Sequence, residues 1–163
     1  MNLSFRSVAD TDRPFLIALF GSTRQAELAY LPWTDDQKRA FIESQCAAQL
    51  RSYAADFPRA THEVICDGDQ PVGRLYLDRG EKVFHILDIT IAPAARNAGI
   101  GTAVLRGILD EAARRGKPVS IYNESFNPSM RLFDRLGFRP ISSDGFLVRL
   151  EFSTPEAGGR PSG

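Results

Sequence analysis

The chain has 163 residues, 43% of them hydrophobic and 25% charged, a composition that fits one soluble globular core. Twenty Lys and Arg residues balance 20 Asp and Glu residues, so no global field draws the protein to nucleic acid or to an anionic membrane. No apolar run approaches the ~18 residues of a membrane helix, and Met1 to Arg6 lacks the basic-then-apolar layout of a leader, so a cytoplasmic protein is expected.

In chain order, Leu3 to Val8 reads as a first strand. Asp10 to Arg13, followed by Pro14, reads as the start of a helix that runs to about Phe20 and ends at Gly21. Thr34 and Gln37 form a capping box. Ile42, Cys46, Leu50, Tyr53 and Phe57 then follow at spacings of four, four, three and four, and Pro58 stops this long amphipathic helix. Thr61 to Asp67 and Pro71 to Asp78 read as a hairpin around Gly68-Asp69-Gln70. Cys46 and Cys66 lack motif spacing and read as two small buried thiols. His62 and His85 sit in strand-like segments without ligand spacing, so no metal site is expected.

Ile86 to Ala92 is β-branched and apolar and reads as a buried strand ended by Pro93. From Ile100 the period changes: Val104, Leu105, Ile108, Leu109 and Ala112 recur at helical spacing, and Gly116 with Pro118 supplies a stop. Val119 to Asn123 is the next strand. A short helix follows, capped by Asn127, with Pro128 at its first position and Gly137 past its end. Phe138 to Ser142 and Phe146 to Phe152 read as a closing hairpin turning at Ser143-Asp144-Gly145. Residues 1–152 are expected to form a single domain, and the tail 153–163, with nothing to bury, to be disordered. This order predicts an α/β mixed sheet with helices on both faces.

The junction Pro93-Ala-Ala-Arg96-Asn97-Ala98-Gly99-Ile100-Gly101-Thr102 carries the chemistry. A helix that begins at glycines offers bare backbone N–H groups and the positive end of its dipole to an anion, and Arg96 adds a charge-assisted contact. It is neither a Walker A loop, which needs Lys and then Ser or Thr after the last Gly, nor a dinucleotide fingerprint, which needs a third Gly where Val104 stands.

What Arg96-Asn-Ala-Gly99-Ile-Gly101 resembles is motif A, [Q/R]-x-x-G-x-[G/A], of the GNAT acyl-CoA N-acyltransferases. Asn127-Pro-Ser-Met-Arg-Leu132-Phe133-Asp-Arg-Leu-Gly137-Phe138 resembles the second signature of that family, motif B, and the two segments stand in family order. The resemblance implies a GNAT-like fold of about seven mostly antiparallel strands. It implies an N-acetyltransferase that moves an acetyl group from acetyl-CoA, without metal, to a primary amine of a small molecule or a peptide. A catalytically degenerate acyl-CoA-binding module is the alternative. In the family's pattern Ile89, Thr90 and Ile91 pair through their main chain with the pantetheine arm, and Arg96, Asn97, Ala98, Gly99, Ile100, Gly101 and Thr102 cradle the phosphates. Asn127 and Phe133 lie by the pantetheine or thiol end. Phe133 departs from the motif's usual Tyr and has no proton to give to a leaving thiolate.

Asp88 is the candidate base and Tyr122 the candidate for the missing phenol. Substrate recognition in this fold falls to the stretch between the first two helices, where Tyr30 and Trp33 are candidates for an apolar acceptor site and Glu27 for attracting an amine, and to Ser142 to Gly145 in the last hairpin. The expected partners are acetyl-CoA and an amine acceptor, with no nucleic acid and no membrane, in a monomer or homodimer.

Overall fold

The structure, a computed structural model, describes residues 1–153, so the tail from residue 154 on lies outside the described residues. Its seven strands are β1 (Leu3–Ser7), β2 (Thr61–Asp67), β3 (Gln70–Arg79), β4 (Phe84–Ile91), β5 (Val119–Glu124), β6 (Arg139–Ser143) and β7 (Leu147–Phe152). They form one sheet in the order β1-β2-β3-β4-β5-β7-β6. Neighbours are antiparallel except β4 and β5, whose parallel pairing requires a crossover, supplied by α4 (Ile100–Arg114).

That parallel ladder is short. Only Phe84, His85 and Ile86 pair with β5, opposite Val119, Ser120 and Ile121. Beyond them β4 stays bonded to β3 as far as Ile91 opposite Gly73, while β5 continues to Glu124 against β7. The two strands therefore part and leave a slot in the middle of the sheet. A bulge accompanies the parting: Leu77 lies opposite Ile86 and Tyr76 opposite Asp88, so Leu87 has no partner across the ladder. Gly73 is needed on the far side, because a Cβ there would be driven into the Thr90 carbonyl.

The two faces of the sheet are built differently. On one, Leu75, Leu77, Phe84, Ile86, Val119 and Ile121 pack against Val104, Leu105, Ile108 and Ala112 of α4 and against Phe133 of α5 (Met130–Leu136). The α4 residues recur every three or four positions, so one stripe of that helix lies on the sheet. On the other face lie α1 (Arg13–Ser22), α2 (Gln25–Ala29) and α3 (Asp35–Asp56), whose own core is Phe20, Leu28, Ile42 and Cys46. Burial of a large apolar side chain contributes about 1.5–3 kcal/mol. With 18 buried residues in the first cluster and four in the second, the α4 face carries most of the stability, and the α3 face is free to hold polar groups.

Two local predictions are corrected. Gly21 does not end α1; it lies where α1 meets α3, a Cβ there falling 3.5 Å from Ile42 Cγ2. The helix stops one residue later, where the Ser22 and Thr23 hydroxyls donate back to the Leu19 and Phe20 carbonyls at 2.7 and 2.6 Å. The short helix α2 follows, because Leu28 turns into the small core. The motif B helix also starts later, at Met130. Asn127 Oδ1 accepts from the Ser129 N–H at 2.9 Å, and the Met130 N–H donates to the Asn127 carbonyl at 3.0 Å. Asn127 thus caps a tight turn of 3₁₀ type that leads into the helix.

Candidate active site

A cleft of about 1520 Å³ runs from the start of α4, through the slot between β4 and β5, to the α1–α2 turn. It joins the two faces of the sheet at the one place where the strands separate.

At one end is the glycine turn. Asn97 at φ +63° and Gly99 at φ +82° are both left-handed, an alternation that turns successive backbone N–H groups inward to form an anion-binding concavity. The first α4 bond runs from the Ala103 N–H to the Gly99 carbonyl at 3.0 Å, so the amides of Ile100, Gly101 and Thr102 precede the ladder and point out of the helix start. A Cβ on Gly99 would meet nothing within 4 Å. The turn is open on the ligand side. Arg96 folds its Nε onto the Ile91 carbonyl at 3.1 Å, and Arg131 and Arg135 of α5 line the same cleft, which makes this end cationic.

The middle of the cleft is main chain. Leu87 to Ile91 lack a strand partner on the β5 side, so the main-chain groups that point away from β3 form an internal sheet edge. The Leu87 carbonyl is taken by the Tyr53 hydroxyl of α3 at 2.9 Å, which holds the bulge in place. Burial pushes that phenol up to about 12, so Tyr53 remains a donor.

Polar groups of the α3 face form the far wall. Arg74, only 3% exposed, donates from Nε to Asp88 Oδ2 at 2.7 Å and from Nη2 to Gln49 Oε1. The Thr90 hydroxyl donates to the same Oδ2 at 2.9 Å. Both contacts use one oxygen, and Asp88, three-quarters covered, lines the cleft with the other. Neighbouring His62 stacks on Tyr76 with centroids 4.4 Å apart, and burial, helped by the Arg74 charge, pulls its pKa from 6.5 down to about 4. His62 is therefore neutral at pH 7. Between these two values the unfolded chain binds a proton that the folded chain refuses, so stability is complete above pH 6.5 and falls as pH drops towards 4. The loss is on the order of 1–2 kcal/mol once solvent screening is allowed for. Urea melts at pH 7 and pH 4.5 should show this loss, and His62→Gln should remove most of it. An undiminished loss in that variant would place its source elsewhere.

Of the residues singled out from the sequence, Glu27, Asp88, Ile89 to Ile91, Arg96, Asn97, Gly99 to Thr102, Tyr122, Asn127 and Phe133 line this cleft. Ala98, Tyr30 and Trp33 do not. Tyr30 is 89% exposed, and Trp33 packs on Phe41 of α3 with centroids 5.3 Å apart. Phe133 lies edge-on to Phe138 and is buried, so its ring is a core contact as well as a wall of the cleft. Sequence reasoning passed over Arg74, Gln49, Tyr53 and Ser129. Ser129 Oγ, which accepts from Asn123 Nδ2 at 3.0 Å, lies at the cleft beside Asn127.

A helix start with bare amides that opens onto an unpaired strand edge is an arrangement suited to an extended ligand with an anionic end. The sequence profile of the acetyltransferase (GNAT) family matches residues 23–138, and the chain belongs to that family and is an acyltransferase of it. Among solved structures it is similar to the PaiA N-acetyltransferase of Thermoplasma acidophilum in complex with coenzyme A, at 14% identity and a TM-score of 0.70 over 94% of this chain and 99% of that one. It is also similar to an acetyltransferase of Thermus thermophilus, at 20% identity, TM-score 0.69, and 94% and 97% coverage. The ribosomal-protein-S18-alanine N-acetyltransferase of Escherichia coli matches at 17% identity, TM-score 0.58, and 93% and 92% coverage. These likenesses are of fold. No curated protein matches the chain. Among the described residues no helix is long and apolar enough to cross a membrane, and no cluster of side chains could hold a metal ion.

Proposed function

We propose that this protein is a cytoplasmic enzyme that transfers the acetyl group of acetyl-CoA to a primary amine. The observation that carries this reading is the continuity of the bare turn at Gly99 with the unpaired edge Leu87 to Ile91 in a single cleft. PaiA, which shares the fold, was solved with coenzyme A. Acetyl-CoA supplies an activated acyl group as a thioester, which an unprotonated amine attacks readily, so the protein's task is to position, to polarise and to move protons.

The amides of Ile100 to Thr102 and the Arg96 guanidinium hold the pyrophosphate. Free main-chain groups of Ile89 to Ile91 pair with the pantetheine amides, and N–H groups on the same edge polarise the thioester carbonyl. Asn127, whose Oδ1 already accepts from Ser129, offers its Nδ2 near the thiol. The free oxygen of Asp88 orients the incoming amine and takes its proton, directly or through water. Tyr122, on the strand across the slot, protonates the departing sulfur in place of the phenol that Phe133 lacks.

Calorimetry with coenzyme A and thiol release over a panel of amines test this reading. Micromolar binding with amine-dependent thiol release is expected. Binding without turnover on any amine would remove the transfer step, and absence of binding would remove the cleft assignment.

A further inference from the structure

Six aromatic rings of this protein are exposed, and three of them line the cleft: Tyr122 is 63% exposed, Phe126 67% and Phe146 54%. The Phe126 and Phe146 rings lie 5.5 Å apart at an interplanar angle of 54°, and Leu147 extends the surface. The segment is held firmly. Asp144 Oδ1 accepts from the Phe146 and Leu147 N–H groups at 2.9 and 2.7 Å, and the Ser125 N–H donates to the Phe146 carbonyl at 2.8 Å. The result is a preformed apolar wall on the β5 side of the slot, beyond the three residue pairs that join β5 to β4.

Charge around that wall is also specific. Arg24 is engaged with Glu27 at 3.3 Å and lies over the Phe20 ring, and Arg74 is engaged with Asp88. Glu124 has no ion-pair partner among the described residues, and it shares a strand face with Tyr122, two residues away on β5. An unpaired carboxylate beside exposed aromatic rings complements a single ammonium carried on a flat apolar body. A polyamine would bring a second charge against the wall, and an amino sugar would bring hydroxyls that find no partners there.

We propose that the acceptor of this enzyme is an aromatic monoamine, its ring seated on Phe126, Phe146 and Tyr122 and its ammonium drawn in by Glu124. This rests on the acetyl-transfer reading for its chemistry, but its test reads binding. The probe is 2-phenylethylamine, titrated into the protein saturated with coenzyme A, with spermidine and glucosamine alongside. The ring-bearing amine should bind at least about tenfold more tightly than either. The double variant Phe126→Ala, Phe146→Ala, which alters only exposed side chains, should weaken it about tenfold or more while coenzyme A affinity stays within about twofold. Spermidine or glucosamine binding as tightly as 2-phenylethylamine would overturn the proposal. So would unchanged 2-phenylethylamine binding in the double variant, including the case in which sedimentation shows that variant has lost a dimer, which would make the wall a contact between two copies of the chain. Failure of all amines to turn over, with selective ring binding intact, would count against acetyl transfer alone.

Discussion

Gly99→Val is expected to weaken coenzyme A binding by at least about 100-fold, roughly 2.7 kcal/mol, while the protein still folds. Gly99 caps α4 at φ +82°, a conformation that costs a β-branched residue about 1–3 kcal/mol. That cost is tolerable for a domain of ordinary stability, because a Cβ at this position has open space around it. On the proposed reading, the space the new side chain occupies is where the phosphates would approach the amides of Ile100 to Thr102. Gly99→Asn separates the two effects. Asn accepts left-handed backbone, so it should melt close to the parent yet still bind more weakly. Affinity within about twofold of the parent for the Val variant, measured by calorimetry, would show that the turn is not the phosphate cradle.

The second large effect is expected at Asp88. Asp88→Asn keeps the shape and the hydrogen-bond acceptor for Arg74 but removes the charge, leaving a guanidinium only 3% exposed without a counterion. Breaking a fully buried pair costs about 3–5 kcal/mol. Asp88 is partly open to the cleft, so a loss of about 1–3 kcal/mol is expected, a drop of roughly 2–12 °C in Tm for a chain of this size. If the carboxylate also takes the amine's proton, kcat should fall about 10²–10⁴-fold. The double variant Arg74→Met, Asp88→Leu distinguishes the two roles, because replacing the whole pair by apolar groups removes the stranded charge. Its Tm should recover and its kcat should not. Recovery of both would make Asp88 a structural carboxylate and send the search for the base elsewhere in the cleft.

The α4 helix and its turn were legible because their physics is local. The five apolar positions from Val104 to Ala112 repeat at helical spacing, and glycine is the residue that a left-handed cap before a ligand demands. The mixed sheet with helices on both faces followed from the alternation of element types and from the resemblance of two segments to one family. Asp88 illustrates what was not legible. Strict alternation from Phe84 would put residue 88 on the α4 face with Ile86; the bulge at Leu87 moves it to the α3 face, opposite Tyr76 and within reach of Arg74. A bulge leaves no mark in hydrophobic period. Tyr53 was hidden for a related reason, since its spacing along α3 is that of any buried position and says nothing about where its hydroxyl ends up. Tyr30 and Trp33 drew attention as aromatics between two helices, but the unforeseen turn of α2 sends Leu28 inward and leaves Tyr30 in solvent.

The three residue pairs that join β4 to β5 make the sheet into two leaves fastened at one corner. That corner is well buried, with Phe84 and Val119 fully covered and Ile86 3% exposed, and from it the leaves diverge without a further bond between their strands. On the proposed reading, acetyl-CoA seated along the divergence would bond to one leaf by its amides and meet the other with its thiol end. It acts as a cross-brace that the chain does not encode. At 100 times its Kd such a ligand adds about 2.7 kcal/mol to the folded state, and its contacts fall along the divergence, where the two strands share no bonds of their own. With the ligand so placed, part of this enzyme's stability would be borrowed from its substrate and returned with each release of product.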